Sequence, residues 1–118
     1  MDREILFRGK LFDKDEWVYG DLLTVGSARI IRSKVSQNGF YKTFTVDRRT
    51  VGQFTGVLDK KGVKIFEGDI LDCPRCQCTL VVSWNNGGFG NFDYWGNDIE
   101  VIGNGYDNLE LLKKVKLS

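Results

Sequence analysis

The sequence predicts a mainly β protein: a small antiparallel barrel or sandwich with several hairpins and a short C-terminal helix. Short β-branched and aromatic runs alternate with polar turn segments along most of the chain. Fourteen glycines against one proline favour tight turns over rigid linkers. Only the segment after Asp107 has a helical pattern. The length of 118 residues suits one domain, predicted over residues 1–118.

Turn chemistry orders the predicted strands. Asn38-Gly39 between two β-rich runs is the strongest short hairpin signal. Residues 59–62, Asp-Lys-Lys-Gly, join two further runs, and Glu67-Gly68-Asp69 breaks the second of them. Asp107 with Glu110 three residues later forms a capping box for the C-terminal helix. Strands are predicted at residues 4–10, 17–23, 29–35, 40–46, 51–58, 63–71 with a break at 67–69, 79–84, 94–95 and 99–102. Residues 70–72 and 79–84 are predicted to form a hairpin with the cysteine segment at its tip.

Three blocks carry a resemblance to a known family. Residues 50–71 read TVGQFTGVLDKKGVKIFEGDIL, residues 7–10 with 16–22 read FRGK and EWVYGDL, and residues 81–84 with 99–104 read VVSW and IEVIGN. In their order along the chain, these blocks resemble the YopX family of phage and prophage proteins. The resemblance implies a small, mostly β, cytoplasmic phage-type protein and no catalytic residue. Residues 25–46 and the cysteine segment depart from the pattern.

The sequence also limits the function classes. No apolar run reaches the length of a membrane span, and the charged start lacks a signal-peptide pattern, which predicts a cytoplasmic protein. The resemblance to phage and prophage proteins implies that this is the host bacterial cytoplasm. The chain has no His and no nucleophile–base pair, so we expect no enzyme, no cofactor and no small-molecule substrate. Acids clustered at residues 67–72 are interpreted as turn caps. Four aromatic residues are interpreted as core more readily than as a ligand cage: Trp17, Tyr19, Trp84 and Trp95.

Cys73, Cys76 and Cys78 are the candidate metal ligands. Their C-x2-C-x-C spacing lets two thiolates hold one zinc ion, but a structural zinc needs four ligands and the chain offers no His and no fourth Cys. Inert thiols at a hairpin tip are the favoured interpretation, ahead of metal binding and redox pairing. We therefore expect no tightly bound zinc in the monomer.

A basic block lies in the middle of the chain, between acidic flanks. Basic strands with interleaved aromatics are typical of surfaces that follow phosphates and stack bases. A solvated face is the simpler interpretation, and the sequence pI of about 7.6 is low for a dedicated nucleic-acid binder. The candidate nucleic-acid-binding residues are Arg29, Arg32, Lys34, Lys42, Arg48 and Arg49.

The sequence therefore favours a non-catalytic phage or prophage accessory protein that acts through protein–protein contacts, including self-association into a homo-oligomer. The alternative is a nucleic-acid-binding module that uses the basic block at residues 29–49. A well-packed apolar contact would favour the first interpretation, and a contiguous basic surface would favour the second.

Overall fold

The computed structural model describes residues 5–34, 39–73, 78–83 and 98–114. Antiparallel strands dominate, which confirms the predicted fold class, and no helix in these ranges is long or apolar enough to cross a membrane. The elements are β1 (Phe7–Leu11), β2 (Trp17–Val25), β3 (Ala28–Lys34), β4 (Tyr41–Leu58), β5 (Lys64–Phe66), β6 (Asp69–Cys73), β7 (Cys78–Val81), β8 (Glu100–Asn104) and a C-terminal 3₁₀ helix (Leu109–Lys114).

The chain divides into two compact units, residues 1–54 and 55–118. The long strand β4 crosses the boundary, with residues 41–54 in the first unit and 55–58 in the second. Each unit has its own hydrophobic cluster. The assignment of one domain to residues 1–118 stays a prediction.

The first unit is a closed ring of four strands. β1 pairs with β2, β2 with β3 and β3 with β4, and β4 returns to pair with β1. The hairpin predicted at Asn38-Gly39 is confirmed by the β3–β4 ladder, which runs to Lys34 opposite Tyr41, although residues 35–38 lie outside the described ranges. Val18, Ile31 and Val46 form the buried centre of the ring, because alternate residues of a strand point to the same side.

The pairing of β1 with β4 is interrupted by a large bulge in β4. Arg8 pairs with Gly52 and Lys10 with Asp47, so residues 48–51 of β4 stand opposite the single residue Gly9. A Cβ atom on Gly9 would lie 2.6 Å from Val46 Cγ2, and only glycine therefore fits where the strands converge. The sequence predicted two separate strands here, and the structure joins them into one bulged strand.

The second unit contains the sheet β7–β6–β8. Its core is formed by Ile65, Leu71, Cys73, Val82 and Ile99, each at most 4% exposed. The predicted turns are confirmed: Gly62 and Gly68 have φ values of +82° and +94°, which glycine adopts without steric cost.

Two buried aspartates of the second unit accept hydrogen bonds from backbone N–H groups. The carboxylate of Asp59 accepts backbone hydrogen bonds from Lys61 (2.8 Å), Val63 (2.9 Å) and Val101 (3.0 Å). Asp69 accepts the Phe66 N–H at 2.7 Å across the Glu67-Gly68 turn. Both side chains are buried, and they satisfy backbone donors that water does not reach.

The predicted C-terminal helix is present as six residues of 3₁₀ helix. It begins at Leu109, with Leu111 N–H bonded to the Asn108 carbonyl at 3.0 Å, rather than directly after Asp107. Asp107 accepts a hydrogen bond from Asn104 Nδ2 at 3.2 Å. Leu109, expected on the docking stripe, is 63% exposed, so this residue does not anchor the helix.

Candidate functional site

The β4 bulge places Arg48 and Arg49 side by side on the surface of the first unit. Asp47 closes the bulge as a turn: its Oδ1 accepts the Arg49 N–H at 3.1 Å, and its carbonyl accepts the Thr50 hydroxyl at 2.6 Å. The same hydroxyl accepts the Lys10 N–H from β1 at 2.8 Å. Local and cross-strand hydrogen bonds therefore fix the backbone that carries the two arginines.

A cleft of about 630 Å³ lies beside this bulge, and we call it the arginine cleft. Three guanidinium groups and one carboxylate line it, which gives a local charge of +2 (three positive minus one negative). Apolar atoms come from the loop after β1 and from β3, and Phe12 is 69% exposed. The lining residues used below are Phe12, Ala28, Arg29, Asp47, Arg48 and Arg49.

The charges in the arginine cleft are not equally engaged. Arg49 forms a two-pronged pair with Asp47, with Nε–Oδ1 at 3.1 Å and Nη2–Oδ2 at 2.8 Å. This side-chain hydrogen bonding lowers the pKa of Asp47 and raises the pKa of Arg49. Arg29 donates through Nη1 to the carbonyls of Ala28 (3.3 Å) and Gly26 (3.5 Å). Because these acceptors are neutral, they do not cancel the positive charge of Arg29. Within the described residues, no carboxylate forms an ion pair with Arg29 or Arg48.

A second cleft of about 500 Å³ shares three residues with the arginine cleft, namely Phe12, Asp47 and Arg49. Its charges cancel, because three cations (Lys10, Lys14 and Arg49) meet three anions (Asp13, Asp15 and Asp47). Lys10 Nζ and the Asp15 carboxylate are 2.6 Å apart. The two clefts therefore differ in charge although they are adjacent.

The outward side of the β2–β3–β4 sheet forms a second surface of the first unit. Antiparallel register sets Asp21 opposite Arg32 and Leu23 opposite Ile30. Arg32 pairs with Asp21 at 3.1 Å, and its guanidinium lies 4.8 Å from the centre of the Tyr41 ring. The residues that we call the outer face are Tyr19, Asp21, Leu23, Ile30, Arg32 and Tyr41.

The six candidate nucleic-acid-binding residues fall into two groups. Arg29, Arg48 and Arg49 line the arginine cleft. Arg32, Lys34 and Lys42 lie farther along the β3–β4 ladder, where Lys34 pairs with Tyr41 and Lys42 with Ser33. Arg29 and Lys34 are five residues apart, or roughly 16 Å along an extended strand. Alternation also sends Lys34 and Lys42 toward opposite sides of the sheet.

The candidate metal ligands are only partly described. Cys73 ends β6 with its thiol buried, at 1% exposure, and Cys78 starts β7 directly opposite it in the ladder. Cys76 lies outside the described residues. In the part of the chain with assigned positions, no three His, Cys, Asp or Glu residues are grouped as a metal site. Metal binding by the three cysteines stays a prediction.

Sequence reasoning missed three residues of these surfaces. Phe12 lies between the predicted strands 4–10 and 17–23, and its position among charged residues gives no sign that it lines a cleft. Asp47, the one acid between the basic residues 42 and 49, was not singled out as the turn former. Tyr19 was interpreted as core and is 44% exposed. Trp17 is half-buried beneath the Arg8 guanidinium, and Trp84 and Trp95 lie outside the described residues.

Fold and surfaces together define a class: a small all-β protein with a four-stranded ring, an additional three-stranded sheet and a surface cleft rich in arginine. A family model described as YopX protein matches residues 6–113, which is most of the chain. The chain therefore belongs to the YopX family, as its sequence blocks indicated. No match was found among curated proteins.

Proposed function

We propose that this protein is a non-catalytic accessory protein of phage or prophage origin that acts in the host bacterial cytoplasm through protein–protein contacts made by its outer face. The observation that carries the proposal is the composition of that face: two exposed tyrosines and a central arginine around aliphatic side chains. Tyrosine and arginine dominate the energetically important positions of protein interfaces.

The state of Arg32 supports this use of the outer face. Asp21 and the Tyr41 ring already hold its guanidinium in place. A partner therefore has less side-chain freedom to restrict on binding, which lowers the entropic cost of association. Tyr41 and Leu23 are 54% and 38% exposed, and both supply apolar area that a partner would cover.

Self-association is the first form of contact to test. Sedimentation velocity should give a mass above the monomer for the wild type and a monomer for Leu23→Asp, because a charge at the centre of an apolar contact is costly to desolvate. Val63→Asp is the matched control: Val63 is 47% exposed beside a turn of the second unit, and its replacement adds the same charge elsewhere. A wild type that stays monomeric at high concentration excludes the homo-oligomer.

A partner protein is tested next, with the same two variants as bait in lysate from infected host cells. A captured protein supports the proposal only if it is identified, binds the purified wild type directly, and binds Leu23→Asp at least about tenfold more weakly while binding Val63→Asp normally. Equal binding to Leu23→Asp removes the outer face from the proposal.

The alternative is nucleic-acid binding by residues 29–49. It is supported by Arg32, Lys34 and the Tyr41 ring, which lie together on one side of the β3–β4 ladder. Division of the six basic residues into two groups argues against a long phosphate track. We expect weak binding of single-stranded and duplex DNA that is lost near physiological salt. Sub-micromolar affinity at that salt, abolished by Arg32→Ala with Lys34→Ala, would favour nucleic-acid binding over protein contacts.

A further inference from the structure

We propose that the arginine cleft is a binding site for an organic oxyanion, a carboxylate or phosphate group carried on an apolar body. This inference concerns a different surface from the outer face and does not depend on the protein-contact proposal. Carboxylate and phosphate groups share the chemistry that matters here, which is a pair of oxygens that accept hydrogen bonds from a planar guanidinium.

The positive side of the site comes from Arg48 and Arg29. Arg48 is exposed on the bulge, and Asp47 attracts it electrostatically while the hydrogen bonds of the Asp47 carboxylate go to Arg49. Among the described residues, neither Arg48 nor Arg29 forms an ion pair with a carboxylate. Arg29 is half-buried and its Nη1 donates only to backbone carbonyls, which orient the group without neutralising it. A guanidinium that is oriented but still charged is suited to bind an incoming oxyanion.

The bulge that carries Arg48 is fixed before any ligand arrives. Thr50 bonds to the Asp47 carbonyl and to the Lys10 N–H, and the Asp47 carboxylate holds both the backbone and the side chain of Arg49. Bulges recur beside functional sites because they turn side chains away from the regular ladder. Here four residues opposite one glycine produce that displacement.

The apolar side of the site comes from Phe12 and Ala28. Phe12 exposes 69% of its surface at the cleft wall, so its ring is open to contact by an apolar group. The cleft volume of about 630 Å³ falls within the usual range for small-molecule sites. An apolar body packed against the Phe12 ring would leave its charged group at the arginines.

The adjacent neutral cleft gives an internal comparison. Both clefts include Phe12, but acids balance the cations in the second one. An oxyanion therefore gains attraction in the arginine cleft and none in its neighbour. Charge, rather than shape, selects the site.

Isothermal titration calorimetry with phenyl phosphate tests the proposal at low ionic strength. Benzoate replaces the phosphate by a carboxylate, inorganic phosphate lacks the apolar body and phenol lacks the charge. We expect phenyl phosphate or benzoate to bind at least roughly fivefold more tightly than inorganic phosphate, and phenol not to bind detectably. The tighter of the two aromatic anions identifies the preferred group.

Variants locate the binding. Arg48→Gln should weaken the aromatic anion roughly tenfold, and Phe12→Ala should weaken it while leaving inorganic phosphate unchanged. Lys34→Gln removes the same charge from the other basic group and should have no effect. Thermal melting checks that each variant is folded. The proposal is wrong if the wild type binds neither aromatic anion at millimolar concentration, or if Lys34→Gln weakens binding as much as Arg48→Gln does.

Discussion

The two units use three of their aspartate side chains in different ways. In the first unit, Asp47 is half-buried, and it closes the bulge and pairs with the exposed Arg49 beside an open cleft. In the second unit, Asp59 and Asp69 are buried and bond to backbone N–H groups. The comparison shows that Asp59 and Asp69 satisfy buried backbone donors, whereas Asp47 both closes a backbone turn and balances the charge of an exposed arginine.

The two units also differ in where their exposed aromatic and basic residues form candidate binding surfaces. The arginine cleft and the outer face both belong to the first unit. In the second unit, Lys60 and Lys61 are directed to one acid, Glu100, at 3.8 and 3.0 Å. Substitutions in the second unit should therefore act on stability, and several in the first should act on binding.

Asp59→Ala should have the largest effect. Three backbone N–H groups lose their acceptor, and the link between the turn at residues 59–63 and β8 is lost. We expect the free energy of unfolding in urea to fall by about 4 kcal/mol. Asp13→Ala, at an exposed bend, is the control and should be neutral. Loss of less than about 1 kcal/mol would show that water replaces the carboxylate.

The Asp59 carboxylate should also make the stability of the protein depend on pH in the acidic range. Burial raises the pKa of Asp59, but the bonds from Val101, Val63 and Lys61 outweigh this effect and hold the pKa below its ordinary value of 3.8. A carboxyl with a depressed pKa in the folded state stabilises the protein above its unfolded pKa, and this contribution is lost as the pH falls through the folded pKa. The stability difference between the wild type and Asp59→Ala should therefore shrink below pH 3.8. A difference that is constant with pH contradicts this assignment.

Gly20→Ala tests the first unit. A Cβ atom there would lie 2.1 Å from the Arg32 carbonyl oxygen, which belongs to the backbone and cannot rotate away. We expect a loss of about 3 kcal/mol in urea unfolding, because β2 and β3 must separate. Gly39→Ala meets nothing within 4 Å and should cost only about 1 kcal/mol for its φ of +87°. Equal losses in the two variants would refute the close approach of these strands.

Thr50→Val tests whether the hydrogen bonds that stabilise the bulge also support ligand binding in the arginine cleft. The change keeps the side-chain shape but removes the hydroxyl that joins Lys10 to Asp47. A loss of about 2 kcal/mol is expected, together with weaker binding of phenyl phosphate, because the bulge is no longer fixed. Thr43→Val, at an exposed strand position, serves as the control. Unchanged affinity would separate the bulge hydrogen bonds from the binding site.

Asp47→Asn should have the smallest effect on stability. Asparagine keeps the Oδ1 acceptor for the Arg49 N–H, and water can solvate the Arg49 guanidinium after the ion pair is lost, because that side chain is 81% exposed. The local charge of the arginine cleft rises by one as the carboxylate is removed. We expect an unchanged thermal midpoint and binding of phenyl phosphate that is tighter by about two- to threefold. Weaker binding would mean that the Asp47–Arg49 pair itself positions the ligand.

Local turn chemistry made most of the fold predictable. Glycine within a few residues of an Asp or Asn marks turns through the backbone angles that these residues adopt, and this signal predicted Gly62, three residues after Asp59, and Gly68, next to Asp69. The bulge was not predictable, because Asp47 to Arg49 are polar residues that interrupt an apolar run whether they loop out or end the strand. Only the pairing with β1, forty residues away, distinguishes the two cases.

The surfaces were less predictable for a related reason. The basic residues were visible as a group in sequence, but the bulge decides which of them share a cleft. The Asp59 turn was also visible, whereas its bond to Val101 spans 42 residues and needs the folded second unit. Periodicity and turn signals describe neighbours along the chain, and sites are assembled by pairings between distant segments.

Ring closure in the first unit sets an order on its folding. The hairpins from β2 to β4 join segments that are neighbours in the sequence. In contrast, Phe7 pairs with Gln53, and the Leu6 carbonyl accepts the Phe54 N–H, so these contacts form only after β4 has been synthesised. During synthesis, β1 therefore leaves the ribosome long before one of its two partner strands exists. We expect the hairpins to form early, with docking of β1 onto β4 as the late step that completes the bulge and, with it, the arginine cleft.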